Sequence, residues 1–235
     1  MRIDLLLMIL AHRLKYSFDF NINQPVSDLF SQTDQLPEEL IKDVYLIRSL
    51  ARLDQLQPVI KQVITQAPLR FMHTPGGKRL HISMTNCGDL GWISEPNGYR
   101  YAHRDPTSGK PWPQMPDAFR QLARQAATLC GFAGFDPNAC LVNHYQAGQE
   151  LTAHQDKNEP DLSQPIVSVS LGMSARFQMY GDSRNGKPGE VELYDGDVMV
   201  WGRTARLIYH GVKTNRSIPH PQLGLHRFNL TLRQV

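Results

Sequence analysis

Hydrophobic residues recur at helical spacing in the first third of the chain. Along residues 54–66 they fall at i, i+3, i+4, i+7 and i+8, the pattern of a helix with one apolar face. The members of this stripe are Leu56, Val59, Ile60, Val63 and Ile64. Asp54 precedes the stripe and is the expected N-cap, because its short side chain can accept hydrogen bonds from the free N–H groups of the first turn. The pattern therefore predicts an entry segment and then a helix within 27–66.

A second helical stripe lies near the middle of the chain, over residues 117–130. Its apolar members are Phe119, Leu122, Ala123, Ala126, Ala127 and Cys130. Gly131 follows directly. Glycine is favoured just beyond a helix end because it adopts the left-handed conformation without strain. We therefore predict that this helix runs from Asp117 to Cys130, with Gly131 just past its end.

From residue 140 onward the pattern changes to short apolar runs bounded by Gly, Pro, Asp and Asn. The runs lie at 140–145, 166–171, 176–180, 190–194, 198–201, 206–210 and 226–233. Short strands at this spacing indicate an antiparallel sandwich or barrel. The chain is thus predicted to be α+β and mainly β.

The segment between the two helices, residues 70–113, has a different character. Leu80, Ile82 and Met84 alternate as in a strand, but the remainder is rich in Gly, Pro, aromatic and cationic residues. Trp92 and Tyr99 stand among these cations. A long segment of this composition favours a functional cover over a site rather than a connector.

Composition narrows the class of protein. Of 235 residues, 41% are hydrophobic and 20% are charged, which suits a folded globular chain and excludes a disordered chain or a fibre. The net charge of +3 permits a polyanionic partner without requiring one. Three cysteines without a C-x-x-C pair favour neither a disulfide framework nor a cysteine zinc site.

Residues 1–26 read as an N-terminal extension of unknown role, with a single domain expected over 27–235. The longest apolar run, at 5–11, is too short to span a bilayer, and Arg13 and Lys15 stand where a signal-peptide cleavage site would need small residues. The sequence therefore predicts a cytoplasmic protein with no membrane attachment.

The principal candidate for chemistry is His154-Gln155-Asp156. In an extended segment, side chains two residues apart point to the same face, so His154 and Asp156 can bind one metal ion. His210, in a separate predicted strand, can supply the third ligand. Two histidines and one carboxylate form the facial arrangement of non-heme Fe(II) oxygenases, which leaves positions open for co-substrate and O2.

The same short pattern also occurs at His103-Arg104-Asp105, so the motif alone is not specific. That copy runs into Pro106 and Gly109 and reads as a turn with no strand beyond it. The alternative for His154 itself is an ordinary surface histidine.

The last predicted strand adds polar chemistry. Phe228, Leu230 and Leu232 face one side, while Arg227, Asn229, Thr231 and Arg233 face the other. Two guanidinium groups suit bidentate recognition of a small dicarboxylate. Asn143 and Tyr145 share one face of another strand with Leu141 and could line the same cavity. The alternatives are an exposed face with two arginines and an ordinary half-buried strand.

These residues resemble the AlkB family of Fe(II)- and 2-oxoglutarate-dependent nucleic-acid dealkylases. The resemblance runs from about Asp28 to Gln234. It rests on 74–77 (TPGG), 84–88 (MTNCG), 90–92 (LGW), 154–157 (HQDK), 165–172 (PIVSVSLG) and 227–234 (RFNLTLRQ). It implies a double-stranded β-helix, or jelly-roll, core at about 140–235, flanking helices, and a nucleotide-recognition lid at about 70–113.

The resemblance also implies roles for single residues. His154, Asp156 and His210 match the iron ligands. Matches to the 2-oxoglutarate contacts are Asn143, Tyr145, Arg227, Asn229 and Arg233. Trp92 matches the lid aromatic that stacks on the extruded base, with His154 on the base's other side. Tyr99 matches a lid residue near the phosphates, Met84 and Leu141 match pocket-wall positions, and Arg184 matches a basic residue near the nucleic acid.

Two positions depart from the family pattern. Asn158 stands where close members carry an acid that reads the exocyclic amine of the base, and Glu150 stands where a basic residue is expected. An amide oxygen can still accept a hydrogen bond from an amine but brings no charge. Base preference therefore stays open.

The function implied is oxidative demethylation of N-alkylated bases of the 1-methyladenine and 3-methylcytosine type. The expected substrate is single-stranded or damaged DNA, with RNA open. Fe(II) is the expected cofactor, 2-oxoglutarate and O2 the co-substrates, and a monomer the expected state. Two alternatives remain: the same fold acting on RNA or a small molecule, because a fold does not fix a function, and a non-catalytic nucleic-acid-binding module.

Overall fold

The structure is a computed structural model that describes residues 36–235, so the predicted extension and the start of the predicted entry segment lie outside the described residues. Within this range the chain is mostly β-sheet, with two α-helices. The helices are α1 (Leu53–Gln66) and α2 (Asp117–Leu129), and a short 3-10 turn spans Arg203–Ala205. The strands are β1 (Glu38–Ile41), β2 (Val44–Ile47), β3 (Ser83–Gly88), β4 (Gly91–Glu95), β5 (Gly98–Ala102), β6 (Ala139–Gln146), β7 (Glu150–His154), β8 (Ile166–Gly172), β9 (Ala175–Gly181), β10 (Gly189–Leu193), β11 (Val198–Trp201), β12 (Tyr209–Thr214) and β13 (His226–Arg233).

The strands form two main sheets and one hairpin. The major sheet has the order β1-β2-β11-β8-β13-β6-β3, the minor sheet β10-β9-β12-β7, and β4 pairs with β5. Apart from the pairs β1–β2 and β9–β10, neighbouring strands in both sheets are non-consecutive along the chain, as in a jelly roll. The predicted mainly β jelly-roll class is thus confirmed.

Two apolar clusters hold the layers together. One lies between the sheets and includes Met84, Tyr145, Phe177 and Trp201. The other joins both helices to the outer face of the major sheet, where Leu230 and Leu232 of β13 meet α1 and α2. Phe228 packs partly against this cluster as well. The alternation predicted for β13 is therefore confirmed, because its apolar side faces the helices.

The predicted helical stripes are the buried faces of α1 and α2. Leu56, Ile60 and Val63 are buried in α1, and Phe119, Ala123, Ala126 and Ala127 are buried in α2. The predicted C-terminal stop of α2 is also present. Gly131 has φ of +78°, its N–H donates to Thr128 O (3.0 Å), and the N–H of Phe132 donates to Ala127 O (2.8 Å). This pair of bonds is a Schellman motif.

The N-cap prediction for α1 was wrong. The helix begins at Leu53, so the capping position falls on Arg52 and Asp54 lies in the first turn. There the carboxylate still favours the helix through the dipole, since the first turn carries partial positive charge.

Several strand predictions need correction. The run at 206–210 is mostly a turn, and β12 begins only at Tyr209. Strand β7, which carries His154 and lies at the edge of the minor sheet, was not predicted, because its apolar alternation is limited to Leu151 and Ala153. The hairpin β4–β5 was likewise not predicted as strands. Within 36–235, no helix combines the length and apolar character needed to cross a bilayer.

Candidate active site

A cavity of about 410 Å³ lies between the two sheets and opens beneath the β4–β5 hairpin. Side chains of the major sheet, the minor sheet and the hairpin all line it. Every predicted site residue except Arg227 contributes to the wall, including Met84, Leu141 and Arg184. The sheet packing thus brings together residues that the sequence places more than 100 positions apart.

The two histidines and the aspartate of the predicted metal site converge at this cavity. His154 ends β7, Asp156 follows two residues later, and His210 lies on β12 opposite His154 in the strand register. Their ligand atoms all lie within 4.8 Å of one another. The pairing of β7 with β12 therefore supplies the third ligand that the sequence required from a distant strand.

Hydrogen bonds orient both imidazole rings. His154 Nδ1 lies 2.9 Å from Thr152 O, and His210 Nδ1 lies 3.1 Å from Ile208 O. A carbonyl oxygen only accepts, so each Nδ1 is the donor and each Nε2 keeps a free lone pair. A ring held in this tautomer is prepared to bind a metal ion.

The electrostatics of the site favour a neutral His210 and an ionised Asp156. Burial lowers the pKa of His210 to about 4, assisted by repulsion from His154, so this imidazole is neutral at pH 7. Burial alone would raise the pKa of Asp156. The charge of Arg233 and the neighbouring imidazoles nevertheless hold it well below its usual range. One anionic and two neutral donors are the set that a divalent metal requires.

The second H-x-D copy is not such a site. Asp105 accepts from the Thr107 N–H (2.9 Å) and the Ser108 hydroxyl (3.0 Å) and pairs with Arg70 at 2.8 Å. His103 is exposed, with Nδ1 3.1 Å from Asp89 O. In the part of the chain that the structure describes, the only three-residue group of this kind is the one around His154. The turn expected at 103–109 is therefore confirmed.

Beside the metal triad, the inner face of β6 and β13 carries the polar residues expected to hold 2-oxoglutarate. Asn143 Nδ2 donates to Asn229 Oδ1 at 3.2 Å, and Asn229 Nδ2 donates to Ser168 Oγ at 2.8 Å. Thr231 Oγ1 also donates to Asn229 Oδ1, at 3.0 Å. This network fixes the amides next to the cavity.

Arg227 does not line the cavity itself but packs directly against Tyr145, which does. It is 1% exposed, stacks 5.1 Å from the Tyr145 ring, and donates one bond from Nη2 to Ser170 Oγ at 2.9 Å. Its Nε and Nη1, like Asn143 Oδ1, have no hydrogen-bond partner within residues 36–235. Unpaired buried donors are costly. A carboxylate of 2-oxoglutarate would accept from the two Arg227 nitrogens, so this guanidinium fits the co-substrate.

Arg233 makes contacts that the sequence did not reveal. Its Nη2 donates to Asp156 Oδ2 at 2.9 Å, and its Nε lies 3.3 Å from Glu159 Oε1. Arg233 thus orients the carboxylate of the metal triad while it borders the cavity.

Glu159 is a functional candidate that sequence analysis missed. It is 5% exposed and also accepts from Arg206 Nη2 (3.0 Å) and from the Tyr101 hydroxyl of β5. Arg206 in turn donates from Nη1 to the backbone oxygen of Asp156 at 2.5 Å. The buried carboxylate therefore connects the hairpin to the loop that carries the metal ligand. The one local signal for this contact was that Tyr99 and Tyr101 lie two residues apart and therefore share one face of β5.

Trp92 is held in place on three sides. Asn86 brackets its backbone with two bonds of 3.0 Å, Tyr99 stacks on its ring at 5.5 Å and 15°, and its Nε1 donates to Asn158 Oδ1 at 3.3 Å. Asn158, expected to face the base, thus contacts the lid aromatic. The indole is partly exposed above the cavity, so its orientation is fixed before any ligand arrives.

Two further positions lie at the rim. Arg184 lines the cavity with its guanidinium 5.6 Å from the Tyr209 ring. Glu150 is exposed and lies 3.9 Å from Lys213, so its charge is partly offset.

Comparisons with known proteins agree with this geometry. Residues 43–233 match the 2OG-Fe(II) oxygenase superfamily. The chain is 46% identical over 210 residues to the alpha-ketoglutarate-dependent dioxygenase AlkB of Escherichia coli (strain K12), covering 88% of this chain and 97% of that protein. It is 40% identical over 173 residues to the AlkB homolog of Caulobacter vibrioides (strain NA1000 / CB15N), covering 72% and 76% of the two chains.

Solved structures show the same architecture. The structure of OsALKBH1 superposes with a TM-score of 0.73 at 27% identity and covers 85% of this chain and 100% of that one. A 2OG-Fe(II) oxygenase-family oxidoreductase from Burkholderia pseudomallei shares the fold at a TM-score of 0.51 and 15% identity. The chain therefore belongs to the 2OG-Fe(II) oxygenase superfamily, within which it is an AlkB-like dioxygenase that depends on Fe(II), 2-oxoglutarate and O2.

Proposed function

We propose that this dioxygenase removes methyl groups from N-alkylated bases of the 1-methyladenine and 3-methylcytosine type in single-stranded DNA, with RNA as a second substrate class. The observation that carries the proposal is the position of Trp92. A partly exposed indole, fixed above an open cavity that contains the His154, Asp156 and His210 triad, is a stacking surface for a planar base. The relatives' names, among them a nucleic acid dioxygenase and a DNA demethylase, support this substrate class.

In this proposal Fe(II) is held by His154, Asp156 and His210, and 2-oxoglutarate by Asn143, Tyr145, Arg227, Asn229 and Arg233. Together with O2 these groups supply oxidation of a C–H bond coupled to decarboxylation of the co-substrate. The chain's own contribution is position. Arg233 orients Asp156, Trp92 holds the base, and the apolar wall formed by Met84 and Leu141 excludes water from the reacting methyl group.

A methylated N1 of adenine or N3 of cytosine lies on the pairing edge of the base. Such a base pairs badly and is easy to extrude, which provides part of the selectivity.

We further propose that the enzyme acts in the cytoplasm as a monomer, that residues 1–26 form an extension, and that 27–235 form one domain with its lid at about 70–113.

The test uses mass spectrometry of oligonucleotides with one defined methyl lesion, in DNA and in RNA, with and without iron and 2-oxoglutarate. We expect loss of the methyl group and matching succinate only when both are added. His154→Ala should abolish the reaction, whereas His103→Ala, the same change in the second H-x-D copy, should leave it intact. Succinate formation without demethylation of any oligonucleotide would overturn the proposed substrate class. Unchanged turnover in His154→Ala would overturn the metal site.

A further inference from the structure

A small hairpin over residues 71–80 precedes β3 and borders the cavity. Its strands are joined by bonds of 2.8 Å from Leu80 N–H to Met72 O and from Thr74 N–H to Lys78 O, and His73 pairs with Arg79. Thr74 and Leu80 line the cavity, while Met72 is buried in the core between the sheets. One face of this hairpin therefore belongs to the active site.

The opposite face is exposed and has a composition of its own. It carries Phe71, His73, Arg79 and His81, all exposed, which we call the outer hairpin face. The burial pattern alternates strictly here, with Met72, Leu80 and Ile82 turned inward between these positions. Phe71 is 38% exposed although it is a large apolar side chain, and the Arg79 guanidinium lies 3.7 Å from the centre of its ring.

The charges of this face are not neutralised. Two other cations of the lid have carboxylate partners, Arg70 with Asp105 at 2.8 Å and Arg100 with Glu95 at 3.2 Å, while Arg104 donates to the backbone oxygen of Gly109. Lys78 and Arg79, by contrast, have no carboxylate partner within residues 36–235.

An exposed aromatic ring with a guanidinium stacked on it, beside a second free cation, is complementary to an unpaired nucleotide. The ring and guanidinium plane present surfaces on which a base can stack, and the cations attract the phosphates. We infer that the outer hairpin face binds unpaired nucleotides that flank the base held in the cavity. This inference rests on the proposed function and extends it to the length of strand that the enzyme engages.

A base paired in a duplex has both faces covered by its neighbours, so it cannot stack on Phe71. The surface therefore favours single-stranded substrate. Because Thr74 and Leu80 of the same hairpin line the cavity, a strand that leaves the cavity can pass the turn at Lys78 and reach Phe71. Only an oligonucleotide with enough flanking nucleotides gains this contact.

The test compares single-lesion DNA substrates of about 4 and about 16 nucleotides, a span that covers typical single-strand site sizes. Phe71→Ala should raise KM for the long substrate by about 5- to 150-fold, the usual range for loss of one stacked base, and leave the short substrate unchanged. Phe71→Leu, which keeps an apolar side chain without a π face, should behave like Phe71→Ala. Arg79→Gln should also lower the salt dependence of binding by about one charge.

Lys61→Glu is the matched control for Arg79→Glu, because Lys61 is an exposed cation on α1, which packs on the outer face of the major sheet. We expect Arg79→Glu to weaken use of the long substrate and Lys61→Glu to leave it unchanged. Equal effects of Phe71→Ala on long and short substrates, or no effect on either, would overturn the inference. A loss of activity in Phe71→Ala that is seen only when the lesion lies in a duplex would also overturn the inference. Absence of demethylation by the unmodified enzyme on every substrate would instead refute the proposed function.

Discussion

Replacing Asn158 with aspartate should shift the enzyme's preference toward lesions that carry a positive charge. Asn158 lies at the lid side of the cavity, where its Oδ1 accepts the Trp92 Nε1–H at 3.3 Å. A base stacked against Trp92 is therefore close to this side chain. Methylation at N1 of adenine or N3 of cytosine makes the base cationic, and a carboxylate at this position would attract it.

Coulomb's law gives the size of the effect. Two unit charges about 4 Å apart interact by about 1 kcal/mol in bulk water and by about 4 kcal/mol at a typical protein-surface dielectric. Asn158 is exposed, so the lower half of this range applies. We expect about 1–2 kcal/mol, which corresponds to a decrease in KM of about 5- to 30-fold for the cationic lesions.

The assay measures KM for two oligonucleotides of one sequence, one with 1-methyladenine and one with a methylated base that is neutral at pH 7. Only the first should improve in Asn158→Asp, because the second offers no cation. A stronger bond to Trp92, or a perturbation of the neighbouring Asp156, would change both lesions by the same factor. The reasoning is refuted if the ratio of the two KM values does not move.

Four further outcomes follow from the contacts of the site. Arg233→Lys should raise the apparent binding constant (KM) for 2-oxoglutarate by about 10- to 150-fold. Lysine cannot keep both the Asp156 and Glu159 contacts, and one charged hydrogen bond is worth about 1.5–3 kcal/mol. An unchanged co-substrate titration would contradict this. Glu159→Gln should lower the free energy of unfolding by about 3–5 kcal/mol in urea titrations, because buried Arg206 loses the one carboxylate it pairs with in residues 36–235, while Arg233 keeps Asp156; a loss below about 1 kcal/mol would show that this ion pair contributes little. Trp92→Ala should reduce demethylation while succinate formation without substrate continues; loss of both would make Trp92 a structural residue. Asp105→Ala should destabilise the fold, because Asp105 is 4% exposed and pairs with Arg70, yet leave the iron content of the folded protein unchanged, as measured by metal analysis after gel filtration.

The sequence by itself was sufficient for features that depend on local geometry. The apolar stripes of α1 and α2 predicted their buried faces, because a helix repeats every 3.6 residues whatever surrounds it. The alternation of β13 predicted which side carries Arg227, Asn229 and Arg233, because a strand has a period of two. The local pattern misplaced the start of α1, where Asp54 was expected to be the N-cap, and the start of β12. Both positions are ends of secondary-structure elements, where tertiary contacts decide how far the element extends.

Only the tertiary structure decided which of these residues act together. The H-x-D pattern occurs twice, and it is the pairing of β7 with β12 that places His210 beside His154 and leaves Asp105 in a turn bound to Arg70. The bond from Tyr101 to Glu159 joins residues 58 positions apart, and the bond from Arg233 to Asp156 joins residues 77 apart. No local period carries such information, because the order and register of strands in the two sheets determine these distances. The exposure of Phe71 and Arg79 likewise could not be predicted from the sequence, because burial depends on how the layers pack.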